Sequence, residues 1–164
     1  ANIKDLLGSF TTSFSTSGSN RCKNVSSGAS HINGTVLYPG EEFSAYETVS
    51  PFTEANGYAM AGSYLNGEVV DSMGGGICQV SSTLYAAMCD ALLPVIERYP
   101  HSSHVSYIPV GMDATISEAG GKDLKFINIG QDPLKIVAET NEGTMTVSIY
   151  LVSKETLETV MCLQ

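Results

Sequence analysis

The chain has 164 residues, of which 43% are hydrophobic and only 15% are charged. This length is sufficient for one domain with a hydrophobic core, and the sequence has no run of about 18 apolar residues that would span a membrane. The formal net charge is −9, with eight Lys and Arg residues. This balance argues against nucleic-acid binding, which needs basic patches that displace counterions.

The sequence begins ANIKDLL and has no basic region followed by an apolar stretch, the pattern of a signal peptide. It also starts and stops abruptly. We therefore expect residues 1–164 to be a single domain excised from a longer protein, and any targeting segment to lie outside it.

The hydrophobic pattern predicts an α+β fold, in which helices pack on a mainly antiparallel sheet. In the first half it predicts a strand at 9–14, a helix at 21–32, a strand at 35–38, a loop at 47–57 and a hairpin at 59–70 around Asn66-Gly67. In the second half it predicts a helix at 78–92, strands at 104–108, 113–117 and 123–129, and a final hairpin of 134–140 and 144–152.

The segment GGGICQVSSTLY, residues 74–85, carries the main chemical signal. Its three glycines lead into Cys78, which opens the predicted helix. Unpaired N–H groups and the helix dipole favour a thiolate at such a position, and glycines have no side chain to block approach to the sulfur. The pattern predicts that Cys78 is a nucleophile with a lowered pKa, and the alternative is a small buried apolar residue.

Candidate partners of this thiol lie downstream. His101 and His104 stand at the entry to a predicted strand, and Asp113 starts the next one. An imidazole would carry the thiol proton, and a carboxylate would orient the imidazole. Papain-like cysteine peptidases use the same order of cysteine, histidine and polar orienter, so we expect a loosely papain-like arrangement.

Other residues are candidates for transition-state and substrate binding. Gln79 and the backbone N–H of Cys78 are candidate donors to an oxyanion. Arginine binds carboxylates through two parallel hydrogen bonds, so either Arg21 or Arg98 is a candidate ligand for a substrate carboxylate, with a surface ion pair as the alternative. We also predict that three residues of the glycine-rich segment contact the substrate: Gly75, Gly76 and Ser81.

The remaining cysteines are not expected to form disulfides or to bind metal. Cys78 and Cys89 would lie roughly 16 Å apart on one helix, too far to be bridged. No CxxC occurs, and the cysteines and histidines lack the spacing of zinc ligands. We expect four free thiols, with Cys22 and Cys89 in the core, and no metal or cofactor.

The chain resembles VanW domains over nearly its whole length. The segments that carry the resemblance are NRCKNV at 20–25, INGTVLYPGEEFS at 32–44, GGGICQVSSTLY at 74–85, ERYPHSSHVSY at 97–107 and GMDATI at 111–116. His101 falls on the histidine of the family, whereas His104 stands where another residue is expected, so the resemblance favours His101 as the base. Phe52 replaces the arginine that usually precedes Thr53.

The resemblance implies a location and a reaction. VanW domains occur in surface proteins of Gram-positive bacteria, so it implies an extracellular place at the cell wall or a membrane-anchored surface. It implies peptidoglycan stem peptides as partners and an L,D-transpeptidase that links diaminopimelate residues directly through a cysteine thioester. The alternatives are a cysteine L,D-carboxypeptidase or endopeptidase acting on the same stems, and a non-catalytic wall-binding module.

Overall fold

Nine strands and three helices make up the part of the chain that the computed structural model describes, residues 5–65 and 68–152. The strands are β1 (Leu6–Ser13), β2 (Thr35–Leu37), β3 (Glu42–Ser44), β4 (Met60–Leu65), β5 (Glu68–Met73), β6 (Val95–Glu97), β7 (Lys125–Ile127), β8 (Leu134–Asn141) and β9 (Thr144–Leu151). The helices are α1 (Ser19–Ile32), α2 (Ala45–Val49) and α3 (Ile77–Asp90).

The strands form three sheets. The largest has the order β1-β9-β8-β2, the second has the order β3-β7-β6, and β4 and β5 form a separate hairpin. Every strand pair is antiparallel. The fold is therefore mixed α/β with antiparallel sheets and few helices, as the hydrophobic pattern predicted at this coarse level.

The core lies between the four-stranded sheet and the two long helices. Buried residues of β8 and β9 alternate with half-buried or exposed ones, α1 buries one face, and α3 is buried on most sides. The buried residues of α3 include four polar ones, Gln79, Ser81, Ser82 and Thr83. Burying each large aliphatic side chain contributes roughly 1.5–3 kcal/mol to folding. The largest fully buried aliphatic residues are Val25, Ile32, Val49, Leu84, Met88, Leu124, Ile136, Met145 and Ile149.

Backbone conformation or close packing within the protein requires glycine at each of the three positions before α3. Gly74 and Gly76 have φ angles of 82° and 100°, which only glycine adopts readily. Gly75 packs on β4, where a Cβ would overlap the carbonyl of Ala61. Asn24 of α1, fully buried, donates to the carbonyl of Gly75 at 2.8 Å and fixes the loop from the other side.

Several predicted elements are wrong. Residues 104–108 and 113–117 are not strands, and 113–117 takes part only in an isolated bridge between Ser117 and Lys122. The predicted loop 47–57 begins inside α2 and contains a turn of 3-10 helix at Glu54–Asn56. The sequence pattern also missed β3 and β6, which are three residues long and show no clear alternation.

The other predicted elements are present with shifted ends. The hairpins of β4–β5 and β8–β9 are confirmed, although Asn66 and Gly67 lie outside the described residues. Cys162 also lies outside them. Within the described part, no helix is long and apolar enough to cross a membrane.

Replacing Gly75 with alanine tests the packing of the loop on β4. We expect Gly75→Ala to lower the free energy of unfolding by about 1–3 kcal/mol, because the added methyl group overpacks against backbone that the β4–β5 pairing holds in place. Urea denaturation measures the change. Gly18→Ser is the control, since a Cβ at Gly18 meets nothing within 4 Å; equal stability of the two variants would contradict this packing.

Candidate active site

Cys78 is the second residue of α3 and lies half-buried at its N-terminal end. Its Sγ donates a hydrogen bond to the carbonyl of Ile116 at 3.5 Å. Its backbone N–H makes no hydrogen bond within the described residues, as is usual for the first turn of a helix. The position at a helix start, expected from the glycine run, is therefore present.

The expected lowering of the Cys78 pKa is contradicted. Burial raises the pKa of the thiol above its usual value, and the nearby charge of Asp113 adds to the increase. The positive charge of Arg21 acts in the opposite direction but does not outweigh burial. The thiol is therefore protonated at neutral pH in this structure.

A four-residue segment, 113–116, lies along the first turns of α3 and connects the two halves of the site. Ser81 donates to the carbonyl of Ala114 at 2.7 Å, and Ser82 accepts from the N–H of Ala114 at 2.9 Å. The two helix hydroxyls thus bind the backbone polar groups of Ala114 in place of a neighbouring strand. Ile116, at its far end, contacts Cys78.

At the other end of the segment, Asp113 holds His101 and Arg98. His101 directs both its backbone N–H, at 2.6 Å, and its Nδ1, at 2.7 Å, to Asp113 Oδ2. Arg98 Nη2 lies 3.4 Å from Asp113 Oδ1, and Arg98 Nε donates to the Asp113 carbonyl at 2.8 Å. Asp113 is 8% exposed, whereas the Arg98 side chain is 23% exposed, so the carboxylate is better shielded from solvent than its guanidinium partner.

Hydrogen bonds of the network lower the pKa of Asp113. Burial alone would raise the pKa of the Asp113 carboxyl, but the hydrogen bonds from His101 outweigh burial and lower it. When neutral His101 donates its Nδ1 proton to this carboxylate, its Nε2 is left as an acceptor, the arrangement of a general base. The predicted pairing of His101 with Asp113 is present.

The papain-like contact between thiol and imidazole is not present. Within the described residues, no hydrogen bond joins Cys78 and His101. The guanidinium of Arg98, which holds Asp113, stacks on Tyr85 at 4.8 Å. Tyr85 is seven residues beyond Cys78 on α3, about 10 Å along the axis, so the network is centred further along the helix than the thiol.

His101 and Asp113 line a cavity of about 300 Å³ together with Arg98 and exposed His104. Cys78 is not part of its lining. His104 makes no hydrogen bond or ion pair within the described residues, so the structure gives it no orienting partner.

Gln79 does not occupy the position expected of an oxyanion donor. Its Nε2 donates to Thr12 Oγ1 at 2.9 Å and to the Ser13 carbonyl at 3.0 Å, and its Oε1 accepts from Arg21. Gln79 is 1% exposed. Both amide protons are therefore used to attach α3 to β1, and the unpaired N–H of Cys78 remains the better candidate donor.

Three predicted substrate contacts have structural roles instead. Ser81 is buried and hydrogen-bonded to Ala114, and Gly75 is buried against β4. Gly76 caps α3, and a Cβ there would lie 2.7 Å from Arg21 Cγ. The space that these small residues leave is thus filled by the protein itself.

Sequence reasoning missed Tyr107. The guanidinium of Arg21 lies 5.7 Å from its ring. Burial raises the pKa of the Tyr107 phenol, so it is a neutral hydroxyl beside Arg21. Its place in the segment ERYPHSSHVSY was the available signal, but the spacing alone did not distinguish it from other tyrosines.

The other described cysteines make no hydrogen bond to His101 or Asp113. Cys22, Cys78 and Cys89 are free thiols, and Cys89 is exposed rather than in the core as expected. Among residues 5–65 and 68–152, no group of three or more His, Cys, Asp or Glu side chains is arranged to hold a metal ion.

Fold and site together define a mixed α/β domain with a half-buried cysteine at a helix start and a histidine–aspartate pair beside the same helix. A family model described as "VanW like protein" matches residues 20–150. The chain therefore belongs to the VanW family, which confirms the resemblance seen in the sequence.

Two curated relatives are similar over much of the chain. The protein named "Uncharacterized protein YoaR" from Bacillus subtilis strain 168 is 40% identical over 144 residues, covering 88% of this chain and 47% of the relative. The "Vancomycin B-type resistance protein VanW" from Enterococcus faecalis is 32% identical over 118 residues, covering 66% and 41%. The chain thus spans less than half the length of these relatives. No solved structure matches it significantly.

The Asp113 network predicts a pH-dependent contribution to stability. Because the folded pKa lies below the unfolded value of about 3.9, ionised Asp113 stabilises the fold above that pH, and this contribution is lost as pH falls through the folded pKa. We expect Asp113→Asn to cost about 2 kcal/mol at pH 7 and progressively less as pH falls from about 4 through the folded pKa, measured by urea denaturation. Asp71→Asn, at an exposed position in β5, is the control. A cost independent of pH would contradict this role.

The raised pKa of Cys78 predicts slow alkylation at rest. At neutral pH we expect iodoacetamide to modify exposed Cys89 before Cys78, because the reacting species is the thiolate. The rate at Cys78 should rise with pH beyond the usual thiol pKa of about 8.5. Peptide mapping by mass spectrometry separates the sites. Faster labelling of Cys78 at pH 7 would show an ionised, open thiol and contradict the structure.

Proposed function

We propose that this domain is a peptidoglycan L,D-transpeptidase in which Cys78 is the nucleophile, His101 is the base and Asp113 orients His101. One observation carries the proposal: a single four-residue segment contacts the thiol at Ile116 and the imidazole at Asp113. The substrate class is the one that the resemblance to VanW domains implies, and membership of that family supports it. An extracellular location at the cell wall, with any membrane contact made by a segment outside this chain, is part of the proposal.

The reaction proceeds in two acyl transfers. In the first, Cys78 Sγ attacks the carbonyl carbon that precedes the terminal D-alanine of a stem tetrapeptide. A thioester forms, the peptide bond breaks, and the thiol proton passes through His101 to the leaving amine of D-alanine. In the second, the side-chain amine of another stem attacks the thioester, an amide bond forms, and the thiol is regenerated.

In this reaction Cys78 loses its proton after substrate binds, and the thiol is not ionised beforehand. The resting thiol is protonated and bonded to the Ile116 carbonyl. Cys78 must therefore leave this carbonyl and turn toward His101 Nε2 as substrate binds. The unpaired N–H of Cys78 at the start of α3 then serves as a donor to the oxyanion.

A second candidate function is a non-catalytic wall-binding module. The raised pKa of Cys78 and its hydrogen bond to a backbone carbonyl favour this alternative. In that case Cys78 is a small packing residue, and the His101–Asp113 pair stabilises the fold.

Product analysis with purified disaccharide-tetrapeptides separates these functions. We expect cross-linked dimers and free D-alanine from the unmodified domain, none from Cys78→Ala, and full activity from Cys89→Ala, a matched control on the same helix with an exposed thiol. Shortened monomers without dimers would indicate an L,D-carboxypeptidase. Equal dimer yields with and without the Cys78 thiol would refute cysteine catalysis.

The two histidines provide a test of the base. His101→Ala should reduce turnover by about 10²–10⁴-fold, the usual contribution of a general base. His104→Ala should leave turnover within a few-fold of the unmodified domain, because His104 is exposed and has no orienting carboxylate in the described structure. Release of D-alanine under saturating substrate measures both. The reverse order would assign His104 as the base.

A further inference from the structure

Arg21 is held in a fixed orientation next to the glycine loop. Its Nη1 donates to Ser17 Oγ at 2.9 Å and to Gln79 Oε1 at 2.8 Å. The guanidinium lies over the ring of Tyr107, and its aliphatic part packs on Gly76. A guanidinium held from several sides has already lost much of the conformational freedom that binding would otherwise remove.

This orientation is not explained by an ion pair. The ion pairs of the described residues join Arg98 and His101 to Asp113 and Lys125 to Glu97, and none includes Arg21. Nor do Arg21 Nε and Nη2 make hydrogen bonds to described residues. Arg98, by contrast, is already bonded to a carboxylate and two carbonyls. The sequence did not distinguish Arg21 from Arg98 as a ligand for a substrate carboxylate. In the described structure Arg98 already binds a carboxylate of the protein, and Arg21 does not.

Arg21 also lines a cavity of about 420 Å³ between the start of α1 and β4. The other lining residues are Gly18, Ser19, Asn20, Ala61 and Gly62. The cavity is shallow and largely open to solvent, so the end of a peptide can reach it. Gly76, on which the Arg21 side chain packs, is two residues before Cys78, and the charge of Arg21 acts on the Cys78 thiol, so the two side chains are neighbours.

We propose that Arg21 binds the terminal carboxylate of a peptide whose end occupies this cavity. The free Nε–Nη2 edge of a guanidinium matches the two oxygens of a carboxylate. With the proposed function, on which this identification rests, the peptide is the donor stem and the carboxylate is that of its D-alanine. The carbonyl attacked by Cys78 is one residue from this carboxylate, about 3.8 Å between Cα atoms. Arg21 thereby restricts the reaction to the last peptide bond.

Binding to the Cys78→Ala domain tests the inference without any chemistry. Titration calorimetry compares a stem tetrapeptide that ends in a free D-alanine carboxylate with the same peptide ending in a carboxamide. We expect the acid to bind at least tenfold more tightly. Equal affinities, or no binding of either peptide, would overturn the inference, and neither result depends on how an arginine variant folds.

Variants assign the preference to Arg21. In the Cys78→Ala background, Arg21→Gln should abolish the preference for the acid, and Arg21→Lys, which keeps the charge without the fork, should retain only part of it. Lys23→Gln, two residues away on an exposed position of α1, should retain all of it. A preference that survives in Arg21→Gln overturns the inference.

The two proposals fail in distinguishable ways. If the unmodified domain forms no cross-links and releases no D-alanine, but the acid preference depends on Arg21, the catalytic function is wrong and the carboxylate site stands. If cross-links form but acid and amide bind equally, the carboxylate site is wrong and catalysis stands.

Discussion

The hydrogen bonds between Ala114 and the hydroxyls of Ser81 and Ser82 are the contact on which the candidate site depends. They hold segment 113–116 against α3 at the level of its first turns. Because Asp113 and Ile116 are the two ends of this segment, the same contact sets the place of the His101 network and of the carbonyl that binds Cys78. Backbone polar groups need hydrogen-bond partners when buried, and here the partners of the Ala114 carbonyl and N–H are side-chain hydroxyls of α3.

The environment of Cys78 combines features that oppose one another. The helix start and the charge of Arg21 favour the thiolate, whereas burial and the charge of Asp113 favour the thiol, and burial dominates. A protonated, half-covered thiol is protected from oxidation, because oxidants react with the thiolate. In the proposed reaction, Arg21 positions the scissile carbonyl beside Cys78 and His101 accepts the thiol proton, which joins the two proposals physically.

The sequence predicted elements that have strong periodicity and failed where tertiary contacts decide. The stripes of α1 and α3 and the alternation of β8 and β9 were sufficient to place those elements. Segment 113–117 alternates like a strand, but its partners are Ser81, Ser82 and the Tyr99 carbonyl rather than a sheet. In the site, the pairing of His101 with Asp113 followed from chain order and the family resemblance. The sequence did not show that the Gln79 amide points toward β1, or that Arg21 has no ion pair among the described residues. Both facts depend on which distant side chains fold against these two residues.

A covalent intermediate on Cys78 tests the central claim most directly. The domain is incubated with a disaccharide-tetrapeptide and no acceptor, quenched in acid, and examined by intact-mass and peptide-mapping mass spectrometry. The account predicts one adduct on Cys78 with the mass of the donor less D-alanine, which hydroxylamine removes as it does other thioesters. Absence of the adduct under conditions in which cross-links form, or its presence on another residue, would contradict it.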